Sequence, residues 1–223
     1  MDKFANKLIQ WLFATNALKV SRADSPFWYT SGTIGPYYVN THFLYGSEDK
    51  ANKLLKFINN SKDEIYTFPV EFTSVIWENY KSDAVYKGVI DQLCTFLKDT
   101  VSMDEIDYIS GGERRDWFFS FLTAKILDKP HLTIYKDLSV NKYYNGRASV
   151  VNDIKGKKVL HIADLVTEAS SYERSWIPAI QKIRGDMKWS IAVVDRNQGG
   201  KELLETLGVN LYSMVNIDKE TFD

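Results

Sequence analysis

The chain has 223 residues, 44% hydrophobic and 26% charged, enough for one sizeable core with a smaller adjunct. With 28 basic residues against 29 acidic, the formal net charge is -1. No global field draws in nucleic acid or an anionic membrane, so any anion site has to be local. A single cysteine, Cys94, excludes an internal disulfide framework and suits a reducing cytosol, and neither a signal-peptide pattern nor a run of about 18 apolar residues is present.

In chain order, Phe4, Leu8, Leu12 and Phe13 fall near a helical period and predict an amphipathic helix over residues 3 to 18. "SPFWYTSGTIGPYYVN" mixes glycine and proline with aromatic and β-branched residues, which predicts short strands or a hairpin. Residues 48 to 60 read as a helix through Leu54, Leu55 and Ile58. A longer helix is predicted from Asp83 to Asp99, where Val85, Val89, Leu93, Phe96 and Leu97 share a face. From Ile106 strands alternate with helices. "IDYIS" is a strand; a helix follows through Phe118, Phe121, Leu122 and Ile126 and stops at "DKP". "HLTIY" and "KKVLHIA" are strands, Tyr172 to Arg184 a helix with Trp176, Ile180 and Ile183 inward, and "WSIAVV" and "NLYSMV" complete the set. This alternation implies right-handed parallel βαβ units over roughly 106 to 216, with functional residues in loops at the carboxyl ends of the strands.

Four segments carry candidate chemistry. In "ISGGERRDW" a glycine pair allows unusual torsions and close ligand approach. Arg114 and Arg115 then add fixed cations at a helix N-terminus suited to pyrophosphate or carboxylate, unless Glu113 and Asp116 neutralise them. "VLHIADLVTEASS" ends a strand in Asp164, a carboxylate suited to ribose hydroxyls. Thr167, Ser170 and Ser171 are suited to a phosphate, or to an ordinary helix cap. In "GPYYVN", Tyr37 and Tyr38 either stack on a planar base or fill a hairpin core. In "VVDRNQGG", Arg196 suits a bidentate contact to an anionic or carbonyl-bearing ligand, or a salt bridge with Asp195 or Glu202. His42, His131 and His161 have no metal-like spacing, and no metal site is predicted from the chain itself.

The order of these segments, with the DR…GG…L…GV…L spacing of "AVVDRNQGGKELLETLGVNLYSMVNID", resembles the type I phosphoribosyltransferases and most of all the orotate phosphoribosyltransferases. The resemblance covers most of the chain. It implies an α/β fold, a doubly wound parallel sheet with a small N-terminal hood: helices and hood hairpin in residues 1–105, the transferase-like core in 106–223. The implied reaction moves phosphoribose from phosphoribosyl pyrophosphate to a pyrimidine-type base and releases pyrophosphate, assisted by Mg²⁺, in a cytoplasmic homodimer. Carried over by position, Tyr37 and Tyr38 stack on the base, Thr167 and Arg196 contact it, and Arg114 and Arg115 face the leaving group. Ser170 and Ser171 fall with Thr167 in the ribose-phosphate loop. Lys136 precedes a mobile loop, residues 137–150, that holds Lys142 and Arg147; the catalytic candidates are Lys136, Lys142 and Asp164.

The chain departs from the family at several of these positions. Ala163 replaces the first of two adjacent acids, Glu168 follows Thr167, Ala169 takes a glycine position, Thr30 replaces a lysine, and loop 137–150 lacks the dense lysine and histidine pattern. Alanine at 169 is costly only if that position needs a positive φ. Two functions remain open: a divergent phosphoribosyltransferase, or a catalytically inactive homologue that binds a base or nucleotide as a sensor or assembly subunit.

Overall fold

A computed structural model describes residues 3–21, 27–28, 34–35 and 37–218. Thr30 lies outside them. The chain begins with helix α1 (Lys3–Ala14), which buries Leu8 and Leu12 and leaves Phe13 exposed. Four short strands follow in two antiparallel pairs: β1 (Leu18–Val20) with β4 (Tyr37–Val39), and β2 (Phe27–Trp28) with β3 (Ile34–Gly35). This is the hairpin-like region expected from its glycine, proline and aromatic content. A 3-10 turn, Thr41–Tyr45, leads into three helices: α2 (Glu48–Ser61), α3 (Phe68–Ser82) and α4 (Ala84–Thr100).

Helix ends here are written in the sequence. Ser47 caps α2 by accepting from the Lys50 N–H, with Glu48 and Asp49 in the first turn where the dipole favours them. Asp83 caps α4 by accepting from the N–H groups of Val85 and Tyr86, and its other oxygen meets Lys50 at 2.7 Å, tying α4 to α2. Helix α3 was not foreseen. Its apolar residues Phe68, Phe72 and Ile76 recur at four-residue steps, and Pro69 stands in its first turn, where a missing N–H costs nothing.

The sheet has seven strands in the order β11-β10-β9-β5-β6-β7-β8. Its parallel part joins β5 (Tyr108–Gly112), β6 (His131–Ile134), β9 (Lys158–Val166), β10 (Asp186–Asp195) and β11 (Asn210–Asn216). Helix α5 (Trp117–Ile126) crosses between β5 and β6, and every residue from Trp117 to Ala124 is buried, as its continuous apolar run requires. A π-helical turn (Tyr172–Trp176) and α6 (Ile177–Lys182) lead from β9 to β10, and α7 (Gly200–Thr206) from β10 to β11. One apolar cluster joins α1, α2, α3 and α4 with α5 and one face of the sheet; a second joins α6 and α7 with the other face. The parallel βαβ units read from the strand–helix alternation, and the doubly wound α/β sheet that the resemblance implies, are therefore present. The described residues before 105, from Leu8 to Val101, contribute directly to the same core as the sheet.

The stretch expected to be a mobile loop, 137–150, is instead mostly sheet. Strand β7 (Val140–Tyr144) pairs antiparallel with β6, and β8 (Arg147–Val150) pairs with β7. Asn145 and Gly146, both at positive φ (47° and 76°), make the two-residue turn that matches strand twist. "NKYYNGRASV" carries this hairpin in its letters: an Asn-Gly pair with Tyr143 and Tyr144 before it and Val150 after it. Only 137–139 remain as a loop there. No helix among the described residues is long and apolar enough to cross a membrane.

Candidate active site at the sheet switch point

From β5 the chain turns through α5 to β6 on one side, and from β9 through α6 to β10 on the other. The switch in direction falls between neighbouring β5 and β9. Ligands of open parallel sheets bind outside the carboxyl ends of the strands at such a point. A cavity of about 330 Å³ lies there, lined by Glu113 to Asp116 after β5, Lys136 after β6, and Ala163 to Thr167, Ala169 to Tyr172 and Trp176 around the end of β9.

The glycine pair at the end of β5 is there for close packing. A Cβ on Gly112 would lie 2.6 Å from Cδ2 of Trp176 and nearer still to Cε2 and Cζ2, and one on Gly111 would lie 2.7 Å from the Ser120 Cβ. Neither glycine has a positive φ, so the expected use of unusual torsions is replaced by close approach. The Glu113–Arg114 peptide bond is cis. Glu113 turns away from the arginines: its carboxylate accepts from the Lys136 N–H at 3.0 Å and meets Lys62 at 3.4 Å. Arg114 donates to the Asn59 side chain, and Arg115 is exposed at the cavity. Asp116 points inward, 7% exposed. The sequence-level idea that Glu113 and Asp116 neutralise the arginines is thus corrected: each carboxylate is engaged elsewhere.

The ribose-phosphate candidates share this cavity. Thr167, Ser170 and Ser171 all line it, as does Asp164. The Thr167 carbonyl accepts from the Gly200 N–H at 3.0 Å and the Ala169 carbonyl from the Tyr172 N–H at 3.0 Å, so the loop is held at both ends. Gly200 belongs to the glycine pair of "DRNQGG"; a Cβ there would lie 2.5 Å from the Thr167 oxygen. Two of the four sequence segments therefore touch. Ala169 sits at φ 56°, a left-handed position that favours glycine. Glu168 is exposed and is not among the lining residues. Asp164 is buried, and burial together with neighbouring Asp116 pushes its carboxyl well above the ordinary value, partly opposed by Arg115.

The remaining candidates lie elsewhere. Tyr37 is 2% exposed, its hydroxyl donates to the Ile217 carbonyl at 3.0 Å, and its ring carries the Arg196 guanidinium at 4.8 Å. A ring enclosed in this way has no face to offer a base. Tyr38 is exposed and tilted against Phe27 at 6.3 Å. Arg196 follows β10, its N–H donating to the Val166 carbonyl at 2.9 Å. Lys142 sits within β7 opposite Leu132 and Ser149, away from the cavity lining. Of the catalytic candidates, Lys136 and Asp164 come together and Lys142 does not. Sequence reading missed Trp176 as a cavity wall and the inward role of Asp116; an aspartate just before a helix reads as a cap, and only the fold shows which way it turns.

No family model matches the chain. The orotate phosphoribosyltransferase of Methanopyrus kandleri is 32% identical over 77 residues, 34% of this chain and 42% of that protein. That of Sulfolobus acidocaldarius is 24% identical over 193 residues, 86% of this chain and 76% of the relative. Among solved structures, the orotate phosphoribosyltransferase of Aeropyrum pernix superposes with TM-score 0.61 at 18% identity, covering 94% of this chain and 93% of the other. The UMP synthase of Leishmania donovani gives 0.62 at 16% identity over 95% of this chain. The chain spans less than half of the Methanopyrus protein and 36% of the Leishmania one. The chain is thus similar in sequence to orotate phosphoribosyltransferases of the type I family, and its sheet has the fold that theirs has.

Proposed function

We propose that the protein binds phosphoribosyl pyrophosphate in the switch-point cavity and transfers its phosphoribosyl group to a pyrimidine-type base, releasing pyrophosphate. One observation carries this reading: a single cavity gathers the arginine turn 113–115, Lys136 and the hydroxyl loop 167–171. Arg114, Arg115 and Lys136 would hold the pyrophosphate, Thr167, Ser170 and Ser171 the 5′-phosphate, and Asp164 the ribose hydroxyls. Preorganised charges of this kind stabilise a departing pyrophosphate without reorganising as the bond breaks. Arg196, packed on Tyr37, is the candidate contact to the base.

Magnesium fits the site only together with a ligand. Among the described residues no group of three or more His, Cys, Asp or Glu gathers as metal ligands. Mg²⁺ is ordinarily held by one or two carboxylates, waters and substrate phosphates, and Asp164 at the cavity wall can supply the carboxylate. When bound, the ion supplies neutralisation of pyrophosphate charge. The same family resemblance supports a homodimer and a cytoplasmic protein.

The second reading, a homologue that binds without turnover, is favoured by β7 and β8. The stretch that would hold the family's mobile loop is paired into the sheet, with Lys142 inside a strand. Titrating the purified protein with phosphoribosyl pyrophosphate, with and without Mg²⁺, and then assaying products with orotate, uracil and purine bases separates the readings. Binding plus turnover on a pyrimidine supports transfer; binding without turnover on any base supports the sensor; no binding of phosphoribosyl pyrophosphate refutes transfer.

A further inference from the structure

The backbone ladder between β5 and β9 ends at the pair Ser110–His161. Beyond it the two strands part, and their separation forms the crevice. Across that gap lies the Asp116 side chain. One carboxylate oxygen accepts from the Asp164 N–H at 3.0 Å, and the other from the Gly112 N–H at 3.0 Å and from Nε2 of His161 at 3.2 Å. A carboxylate offers about four lone-pair sites, so three are filled inside the fold. That leaves little capacity for a ligand and makes the group a brace.

The brace is itself held. His161 is fully buried on β9, and its Nδ1 lies 2.9 Å from the Ser110 hydroxyl on β5. With Nε2 facing the Asp116 carboxylate, the Nδ1 side of the ring is left to the Ser110 hydroxyl, so the ring ties β9 to β5 through both nitrogens. The position where the family has its first acid is Ala163 here; a carboxylate from beyond the neighbouring strand now adjoins Asp164 instead.

We propose that Asp116 is a positioning residue that locks the pyrophosphate-facing turn 112–115 to the tip of β9 and so sets the spacing between the two anion-binding halves of the cavity. This rests on the phosphoribosyl reading for its ligands, though the brace itself does not. Asp116→Asn retains a single acceptor oxygen. With that oxygen toward the Asp164 N–H, the new amide group faces Gly112 and His161; the histidine can change tautomer to accept, and the Gly112 N–H cannot. The turn is then released while the β9 tip is kept.

The test combines amide hydrogen exchange with separate titrations of pyrophosphate in Mg²⁺ and of ribose 5-phosphate. In Asp116→Asn, exchange should speed at Gly112, and pyrophosphate affinity should fall at least roughly tenfold, the order expected when a hydrogen bond to a charged group is lost. Ribose 5-phosphate affinity should change less than about threefold, because its loop keeps its anchor. Asp116→Ala should release Asp164 as well and weaken both ligands. Unchanged exchange at Gly112 and Asp164, or equal proportional loss of both ligands in Asp116→Asn, overturns the proposal. If the wild type binds neither ligand while exchange responds as described, the brace stands and the phosphoribosyl reading fails.

Discussion

Gly112→Ala tests whether the wall of the cavity is built by close packing. Cδ2 of Trp176 would lie 2.6 Å from the added methyl, and Cε2 and Cζ2 nearer still, whereas non-bonded carbons rest at about 3.5–4.0 Å, so the indole must shift by more than roughly 1 Å. Trp176 is 6% exposed, and its ring stacks over His161 at 6.3 Å, so a shift of the indole disturbs that contact too. Overpacking of this kind costs about 1–3 kcal/mol. For a chain of this size each kcal/mol moves the thermal midpoint by about 2–4 °C, giving an expected loss of about 2–12 °C. Calorimetry on Gly112→Ala, Trp176→Leu and the double variant forms a cycle. Shortening Trp176 removes the clash, so the double variant should be more stable than the sum of the single losses by about 1–3 kcal/mol. Additive losses would show that the methyl group meets no obstacle in Trp176 and would refute the packing account.

Acid should weaken the fold through His42. Burial, then Arg115 and Arg114, hold its pKa near 3, while the unfolded histidine takes up a proton near 6.5. Between those values the unfolded chain binds more protons, so stability falls as pH drops from 6.5 toward 3, by up to about 1.4 kcal/mol per pH unit. His42→Phe should lower that slope in urea titrations at pH 4 to 7 and leave the share due to buried His131, which is shifted the same way; an unchanged slope would contradict it. Amides of β7 should be protected from exchange without any ligand, because the strand is bonded into the sheet; exchange at loop rates over 140–144 would restore the mobile-loop expectation. Ala169→Gly should leave the protein equally stable or up to about 1 kcal/mol more stable in chemical denaturation, because relief of a left-handed alanine outweighs the added freedom of the unfolded chain. A clear loss of stability would mean that the strain is not borne there.

The sequence by itself determined the strand and helix alternation after Ile106, because apolar periodicity and breakers such as "DKP" act over a few residues. It also determined the order of the four segments, and two of them, the arginine turn and the hydroxyl loop, do meet at one cavity. Other features had local signals that were not read: Asn145-Gly146 marks a hairpin, and Phe68, Phe72 and Ile76 mark a helix. Only the tertiary structure decided which polar side chains face the crevice. Tyr37 became core because Ile217 and Arg196 close over it, and Lys142 left the site because β7 pairs with β6. Asp116 turned inward to receive N–H groups from two strands that lie far apart in the chain. Direction across a sheet depends on partners that no local window contains, and so the letters name the groups while the fold aims them.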